Sequence, residues 1–186
     1  MLPLWLEVLL ALWFILPAYI ANALAVVFSG GPPIDFGKIF IDGKRIFGDG
    51  KTVGGFIGGV ITGVAASLVQ VIMSPYLVKV VSIYYVIGFH EVFLIQASVL
   101  RGFLLSFGAM FGDLIGSFIK RRFGLKRGAP APLLDQLDFL LGAIVFTNLI
   151  GSLQLKYVAI LLIITPLIHL SANIIGYMLK LKREPW

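Results

Sequence analysis

The sequence predicts an all-α polytopic membrane protein with about five transmembrane helices and short loops. Hydrophobic residues make up 59% of the 186-residue chain, charged residues make up only 13%, and the mean hydropathy is +1.01. Soluble domains are about half apolar and a quarter charged, so an ordinary water-soluble fold is excluded. Five crossings of roughly 20 residues each would occupy most of the chain. We therefore expect one membrane domain over residues 1–186.

Five apolar stretches define the expected spans. They are Leu2–Phe28, Gly54–Leu77, Val92–Ile119, Phe139–Leu155 and Tyr157–Leu179. The fourth stretch has 17 residues and reaches only the lower limit for a crossing helix. The first stretch has no basic residue ahead of it and is too long for a signal-peptide core, so we expect a retained helix.

A shorter apolar piece, Val78–Phe89, lies between the second and third stretches. With about a dozen residues it is too short to cross a bilayer. Its paired tyrosines, Tyr84 and Tyr85, favour the headgroup zone, so we expect an interfacial or re-entrant segment.

The basic residues are distributed unevenly between the two sides of such a bundle. With five spans, 12 of the 15 fall on one side, in Lys38–Lys51, Lys120–Arg127 and Lys180–Arg183. By the positive-inside rule this side is cytoplasmic, which places the carboxyl terminus inside and the amino terminus outside. The net charge of +6 thus reports orientation, and no nucleic-acid partner is expected.

The first cytoplasmic loop combines a turn signal with a basic glycine-rich segment. Asp42 and Gly43 between apolar residues predict a small β-hairpin over Lys38–Phe47. The following Gly-Lys-Thr, with Lys51 and Thr52, does not complete a P-loop, because Arg45 occupies the position of its first glycine. Such a turn can still offer backbone amides and a positive charge to a phosphate.

Asp113 is the most informative acidic residue, since it lies about two helical turns inside the basic cluster that begins at Lys120. An ionisable side chain at that depth is costly unless it is paired, metal-bound or facing water. Spacing places Ser117, Lys120 and Arg121 on the same helix face as Asp113. Asn22, polar within the first span, is expected to face the bundle interior.

Asp135 and Asp138 are three residues apart at the start of the fourth span and share a helix face. Magnesium prefers carboxylates together with substrate phosphates, and lysine or arginine can bind the remaining phosphate oxygens. With Asp113, and with Lys126 and Arg127 in the intervening loop, these residues predict a magnesium and phosphate site. The alternative is a ring of salt bridges that caps the helices, with Asp135 favoured by the helix dipole.

The two histidines are expected to be structural. His90 lies at the external boundary, and His169 in the last span is expected to lie at a different depth from the acidic cluster. The cytoplasmic side contains no histidine, so a serine triad is excluded there.

Several motifs together resemble the CDP-archaeol synthase family, an archaeal relative of the CDP-diacylglycerol synthases, over nearly the whole chain. They are Asp113-x-x-x-Ser117-x-x-Lys120-Arg121, Lys126-Arg127-Gly128, Pro132, Asp135-Gln136-Leu137-Asp138, Gly48-Asp49-Gly50-Lys51-Thr52, Ala21-Asn22 and Gly30-Gly31-Pro32-x-Asp35-x-Gly37. Two positions depart from the family pattern, because Val53 and Gly54 follow Thr52 where the family tends to carry an aromatic residue and arginine.

The resemblance implies a magnesium-dependent nucleotidyltransferase. Its substrates would be CTP and an isoprenoid glycerol ether lipid phosphate, 2,3-bis-O-(geranylgeranyl)glycerol 1-phosphate, and its products a CDP-lipid and pyrophosphate. Such a phosphate monoester is largely dianionic at neutral pH and can attack without a protein base, so the lack of a cytoplasmic histidine is no objection. Catalysis would consist mostly of positioning and charge neutralisation.

For this chemistry, with one or two magnesium ions, we assign expected roles to individual residues. The catalytic set would be Asp113, Asp135, Asp138 and Lys120, with the three aspartates as magnesium ligands. The substrate-binding set would be Ser117, Arg121, Lys126, Arg127, Lys51, Thr52, Asp49 and Asn22.

Three alternatives stay open at this point: a small membrane transporter for an anionic substrate, a CDP-diacylglycerol-type synthase with a different lipid, and a non-catalytic membrane partner. A transporter typically uses polar residues near the bilayer midplane and inverted repeats. Here the charges crowd one surface, and no repeat is visible. We therefore expect a multi-pass enzyme of the cell membrane, surrounded by membrane lipids, with its active site on the cytoplasmic face. The sequence does not specify an oligomeric state.

Overall fold

The structure, a computed structural model, describes residues 2–181 as a bundle of helices without strands. The six helices within this range are α1 Leu4–Leu24, α2 Val53–Tyr84, α3 Phe89–Ile95, α4 Val99–Arg122, α5 Leu134–Thr147 and α6 Leu155–Met178. The all-α prediction is therefore confirmed for the described residues. Most of the predicted carboxyl-terminal basic cluster, with Lys182 and Arg183, lies outside them.

Four of these helices, α1, α2, α4 and α6, are long and apolar enough to cross a membrane. Helix α5 has 14 residues, or roughly 21 Å, which is shorter than a bilayer core. It begins before the predicted Phe139 and ends at Thr147, and residues 148–154 continue the chain without a helix. Helix α6 then starts beside α1, where Lys156 Nζ lies 2.6 Å from Glu7 Oε1. We call this the opposite end, and we call the end with Lys51, Lys120 and Asp135 the charged end.

Helix α2 is longer than predicted. The helix passes through Pro75 without ending, and residues 78–84 continue it. The expectation of a separate interfacial or re-entrant piece over Val78–Phe89 is therefore wrong for most of that segment. In an apolar environment the backbone must satisfy its own hydrogen bonds, and nothing between Val78 and Tyr84 interrupts them. The helix ends at Tyr84, and Tyr85 begins a short non-helical segment before α3.

The third predicted span, Val92–Ile119, is broken at residues 96–98 into α3 and α4. Ser98 caps α4 by accepting a hydrogen bond of 3.1 Å from the Arg101 backbone N–H. At the end of α3, the Ile95 carbonyl accepts a 2.9 Å hydrogen bond from the Trp13 indole N–H. The break is therefore stabilised by a local helix cap and by one donor from α1, Trp13, which the apolar pattern of the segment does not reveal.

Helix α4 packs closely on its neighbours because glycines face one another. A Cβ atom on Gly142 would overlap the carbonyl oxygen of Gly108, and one on Gly112 would overlap the carbonyl oxygen of Asp138. Helix α2 uses the same device, since a Cβ on Gly59 would lie 2.9 Å from the Ala21 carbonyl oxygen. Small residues that allow backbones to approach are a common basis of helix association in membranes.

The predicted β-hairpin over Lys38–Phe47 is reduced to a single antiparallel bridge between Ile39 and Arg45, around the Asp42-Gly43 turn. The reason is local. After this bridge, the backbone N–H groups of Phe47 and the next residue donate to a side chain, the Asp35 carboxylate, instead of to a neighbouring strand.

We predict that Gly142→Ala destabilises the protein by about 1–3 kcal/mol or more, because the added methyl meets the rigid backbone of α4. The measurement is the thermal unfolding midpoint in detergent. Gly30→Ala is the matched control, since a Cβ there meets nothing within 4 Å. Equal midpoints for the two variants would contradict the proposed close packing of α4 on α5.

Candidate active site

A cavity of about 330 Å³ lies at the charged end, among α1, α4, α6 and the amino-terminal ends of α2 and α5. Seven of the predicted site residues line it. These are Asn22, Lys51, Thr52, Asp113, Lys120, Arg127 and Asp135. The cavity thus collects residues from both loops and from the ends of several helices that are far apart in sequence.

Lys51 and Asp113 form the first ion pair in the cavity. Lys51 Nζ lies 2.7 Å and 2.6 Å from the two carboxylate oxygens of Asp113, and both side chains are about three-quarters buried. Asp113 is placed by α4, whereas Lys51 stands at the end of the first loop, just before α2. The lysine therefore provides the partner that a carboxylate at this depth requires.

Lys120 and Asp135 form a second pair across the cavity, between the end of α4 and the start of α5. The other oxygen of Asp135 accepts a hydrogen bond of 2.8 Å from the Ala131 backbone N–H, which fixes the turn leading into α5. Two lysine–aspartate pairs thus face the same space. An arriving phosphate could take over either lysine and leave a carboxylate available for a cation.

The amino-terminal end of α2 adds a further anion-attracting element. Thr52 caps this helix, and its hydroxyl oxygen accepts a hydrogen bond of 3.1 Å from the Gly55 backbone N–H. Thr52 and Gly55 both line the cavity, directly after Lys51. The positive end of the helix dipole and the lysine therefore act on the same region, an arrangement suited to binding phosphate.

Asp138 lies beside this cavity but does not line it. It is buried, and its carboxylate packs on Gly116, where a Cβ atom would overlap it. It is close enough to interact electrostatically with Asp113, Lys51 and Lys120. On its other side it borders an apolar groove of about 250 Å³ between α4 and α5.

Four further predicted residues lie outside the cavity lining. Ser117 is buried within α4, and Lys126 is exposed in the second loop. Arg121 donates a 3.3 Å hydrogen bond to the Lys126 carbonyl. Asp49 is paired with Arg45 at 2.8 Å, and its side chain is 65% exposed.

His169 and Asn173, both on α6, also line the cavity. The expectation that His169 lies at a different depth from the acidic cluster is wrong, because His169 and Asp113 are each nine residues from the charged ends of their helices. Asn173 Nδ2 lies 3.3 Å from His169 Nδ1, and the imidazole stacks on Phe139 with ring centroids 5.9 Å apart. The available signal was the spacing of four between two polar residues in an apolar span.

Asp35 is a buried carboxylate that organises the first loop, and it was absent from the predicted site. Its oxygens accept hydrogen bonds from the Arg45 guanidinium and from the backbone N–H groups of Gly37, Phe47 and Gly48. Burial raises the pKa of Asp35, but these hydrogen bonds together outweigh burial and hold the pKa below its ordinary value.

This loop is connected directly to the cavity wall. The Ile34 backbone N–H donates a 2.8 Å hydrogen bond to the Lys51 carbonyl, and the Val53 N–H donates one of 3.0 Å to the Pro32 carbonyl. Asp35 follows Ile34, so the order it imposes on the loop extends to the residue that pairs with Asp113.

The donor set of the cavity fits a magnesium ion that arrives with a phosphate ligand. Within residues 2–181 no three histidine, aspartate or glutamate side chains lie close enough together to hold a metal ion by themselves. The lining does include two carboxylates, Asp113 and Asp135. Magnesium typically takes one or two protein carboxylates and completes its coordination with water and substrate phosphates.

Comparisons with known proteins agree over almost the whole chain. A family model described as CarS-like, CDP-archaeol synthase, matches residues 4–186. The CDP-archaeol synthase of Methanopyrus kandleri is 47% identical over 186 residues, which covers 98% of this chain and 95% of that one. The CDP-archaeol synthase of Pyrococcus abyssi is 46% identical over 176 residues, or 95% of this chain and 96% of that one.

A solved structure described as an intramembrane enzyme for archaeal membrane lipids biosynthesis has a similar fold. It superimposes with a TM-score of 0.69 at 38% sequence identity, covering 88% of this chain and 92% of that one.

We predict that Asp35→Asn loosens the first loop, because a neutral amide cannot replace the charge-assisted hydrogen bonds, each contributing about 1.5–3 kcal/mol. The measurement is hydrogen exchange at the backbone amides of Phe47 and Gly48, which should become faster by a factor of ten or more, as about 1.4 kcal/mol per tenfold implies.

The same hydrogen bonds predict a pH dependence. Because the pKa of Asp35 is lowered in the folded state, the stabilisation from its carboxylate is complete above the pKa of an unfolded aspartate, about 3.9, and is lost as the pH falls below it.

The matched control is Asp42→Asn in the same loop. Asp42 accepts one backbone hydrogen bond, of 3.1 Å from the Lys44 N–H, and forms one partly exposed ion pair with Arg122, at 2.9 Å. An asparagine oxygen can still accept the hydrogen bond, so loss of the charge should cost less than about 1 kcal/mol. Identical exchange at Phe47 in the two variants would show that Asp35 does not organise the loop.

Proposed function

The chain belongs to the CDP-archaeol synthase family, and we propose that the cavity at its charged end is the site of cytidylyl transfer. The protein transfers cytidylyl from CTP to 2,3-bis-O-(geranylgeranyl)glycerol 1-phosphate, forming CDP-2,3-bis-O-(geranylgeranyl)glycerol and pyrophosphate in a membrane. The observation that supports this location is the presence of two lysine–aspartate pairs, Lys51–Asp113 and Lys120–Asp135, in one cavity between membrane helices.

The reaction needs charge neutralisation more than proton transfer. An oxygen of the lipid phosphate attacks the α-phosphorus of CTP, a new P–O bond forms, and the bond to the β-phosphate breaks to release pyrophosphate. The attacking monoester is largely dianionic at neutral pH, so no side chain has to remove a proton. The demand on the protein is to bring two highly anionic groups together and hold them in line.

Lys51, Lys120 and Arg127 supply that positive charge. Each lysine is paired with an aspartate, which keeps both charges compensated at the edge of an apolar region. Binding of the triphosphate exchanges these partners, so the lysines bind phosphate oxygens. Asn22 and the cap of α2 at Thr52 complete the polar wall.

Magnesium is the cation that fits the released carboxylates. Asp113 and Asp135 are its ligands in this proposal. Asp138, whose carboxylate packs on Gly116 within electrostatic reach of Asp113, is a candidate third ligand that would have to move to join them. Held by these carboxylates together with CTP, magnesium would supply charge neutralisation for the phosphates and Lewis-acid polarisation of the phosphoryl group under attack.

The four predicted residues outside the cavity lining have supporting roles. Arg121 and Lys126 extend the positive surface at the rim, where they can meet the outer phosphates. Asp49 holds Arg45, the main partner of Asp35, and Ser117 continues the α4 face that begins with Asp113.

The charged end lies in the cytoplasm in this proposal, where CTP is available, and the chain crosses the cell membrane five times with its amino terminus outside. The positive-inside rule supports this orientation. Helix α5 with residues 148–154 makes the additional crossing, since it connects Asp135 at the charged end with Lys156 at the opposite end.

The lipid tails fit the apolar groove between α4 and α5 better than the glycine face of α2. The groove is lined by side chains such as Phe111, Ile115 and Val145, and Asp138 lies at its border. The α2 glycines are covered by α1 and α4, because added Cβ atoms on Gly59 and Gly63 would overlap Met110 and Ser106.

The experiment that tests the function is incubation of purified protein with CTP, magnesium and the isoprenoid ether lipid phosphate, with pyrophosphate and CDP-lipid as readouts. A parallel reaction with an ester-linked diacylglycerol phosphate tests the lipid class, and a reaction with a chelator tests the metal. Formation of pyrophosphate without CDP-lipid would contradict cytidylyl transfer, and full activity with chelator would contradict the role of magnesium.

We predict that Asp113→Asn and Lys51→Met each lower kcat/KM by about a hundredfold or more, as expected for groups that stabilise developing phosphate charge. Both variants should still fold in detergent, but Lys51→Met should lower the unfolding midpoint more than Asp113→Asn, because it leaves a largely buried carboxylate without its partner. Activity and thermal unfolding of the same preparations provide the measurement.

Glu7→Gln and Lys156→Met are the matched controls, since they break an ion pair of the same 2.6 Å length at the opposite end. Their activity should stay within about twofold of the original protein, in line with the small energies of exposed pairs. Unchanged activity in Asp113→Asn and in Asp138→Asn would exclude the proposed metal site.

A further inference from the structure

The tip of the first loop, residues 36–41, exposes large apolar side chains. Phe36 is 68% exposed, Ile39 64% and Ile41 94%. A cluster of this kind at the end of a loop is unusual for a segment surrounded by water, and exposed apolar patches generally mark an interaction surface. None of these three side chains lines the cavity, so the site does not account for their exposure.

The tip lies over the side of α4 and not over the cavity. Phe40 packs edge-to-face on Phe118, with ring centroids 5.2 Å apart, and the Arg122 guanidinium lies 4.7 Å from the Phe40 ring and 4.6 Å from the Phe118 ring. On a helix, Phe118 and Arg122 share one face with Phe111 and Ile115. The latter two are exposed on the outer surface of a helix long and apolar enough to cross the membrane, so this face contacts lipid.

The backbone holds Phe36 outward despite a conformational cost. Its φ is +47°, in the left-handed region that a bulky residue seldom adopts. The hydrogen bonds on both sides enforce it, since the Phe36 N–H donates to the Pro33 carbonyl at 2.9 Å and the Gly37 N–H donates to Asp35 Oδ1 at 3.1 Å. A strained residue that is held by its surroundings in this way is often functional.

Basic residues accompany the apolar tip. Lys38 is exposed within it, and Lys44 follows directly after the turn, where its ammonium donates a 2.8 Å hydrogen bond to the Arg122 carbonyl. Apolar side chains beside lysines match the boundary between hydrocarbon and anionic headgroups.

We propose that the loop tip, residues 36–41, inserts into the interfacial layer of the bilayer at the charged end, with Phe36, Ile39 and Ile41 in contact with lipid. Position, exposure and charge favour lipid over a second protein copy, because the tip continues a helix face that must itself be covered by lipid. The inference concerns where the loop lies and is independent of the proposed chemistry. If the tip is held in lipid, the loop behind it is held as well. Asp35 and the hydrogen bond from the Ile34 N–H to the Lys51 carbonyl then connect the position of the tip to the position of Lys51.

The chain contains no cysteine, so single cysteines can be labelled without further changes. Ile41→Cys and Ile39→Cys place a polarity-sensitive fluorophore on the tip, and Asp49→Cys places it at an exposed position of the same loop. The full chain is reconstituted in vesicles of neutral and anionic phospholipid. Aqueous iodide and lipids that carry a nitroxide near the headgroup are then compared as quenchers.

The expected result is a blue-shifted emission at positions 39 and 41. Relative to position 49, both should show several-fold weaker quenching by iodide and several-fold stronger quenching by the nitroxide lipids. Iodide quenching at position 41 equal to that at position 49 would overturn the proposal. Protection from iodide without quenching by the nitroxide lipids would also overturn it, because another protein copy would then cover the tip. Ile41 is 94% exposed, so its replacement by a labelled cysteine removes few contacts. Position 39 provides a second label that tests the result at position 41 independently.

Discussion

The ion pair between Lys51 and Asp113 is the constraint on which the charged end depends. A carboxylate nine residues from the end of a membrane helix needs a partner, and the first cation that follows it on α4, Lys120, pairs with Asp135 instead. The partner comes from a loop, so the loop must return to the helix and stay there. This pairing compensates the two charges in apolar surroundings. It also holds a lysine and an aspartate in the cavity, where substrates that carry phosphate would bind.

The first loop satisfies this requirement through its own buried carboxylate. Asp35 replaces the missing ladder of a β-hairpin by accepting hydrogen bonds from Arg45 and from successive backbone N–H groups. The loop is thereby fixed at its base, against Lys51, and at its outer side, where Phe40 packs on Phe118. A segment that would be mobile as a simple glycine-rich connection becomes a wall of the cavity on one side and a lipid-facing surface on the other.

The helices bring the rest of the site together by close backbone packing. Gly108, Gly112 and Gly142 let α4 and α5 approach until carbonyl groups and glycine Cα atoms meet. This contact places Lys120 opposite Asp135, although 15 residues and a loop separate them. It also buries Asp138 against Gly116, between the polar cavity and the apolar groove, which is a suitable border between a charged headgroup and its tails.

The sequence by itself determined the membrane class, the four long spanning helices and most polar residues of the cavity, because apolar length and the cost of charge in lipid are local properties of the chain. Only the tertiary structure decided the rest. The break at residues 96–98 depends on Trp13, the reduced hairpin depends on Asp35, and the depth of His169 depends on how far α6 extends beside α1 and α5. Each of these is fixed by a partner distant in sequence, and no local pattern records which donor will meet which acceptor.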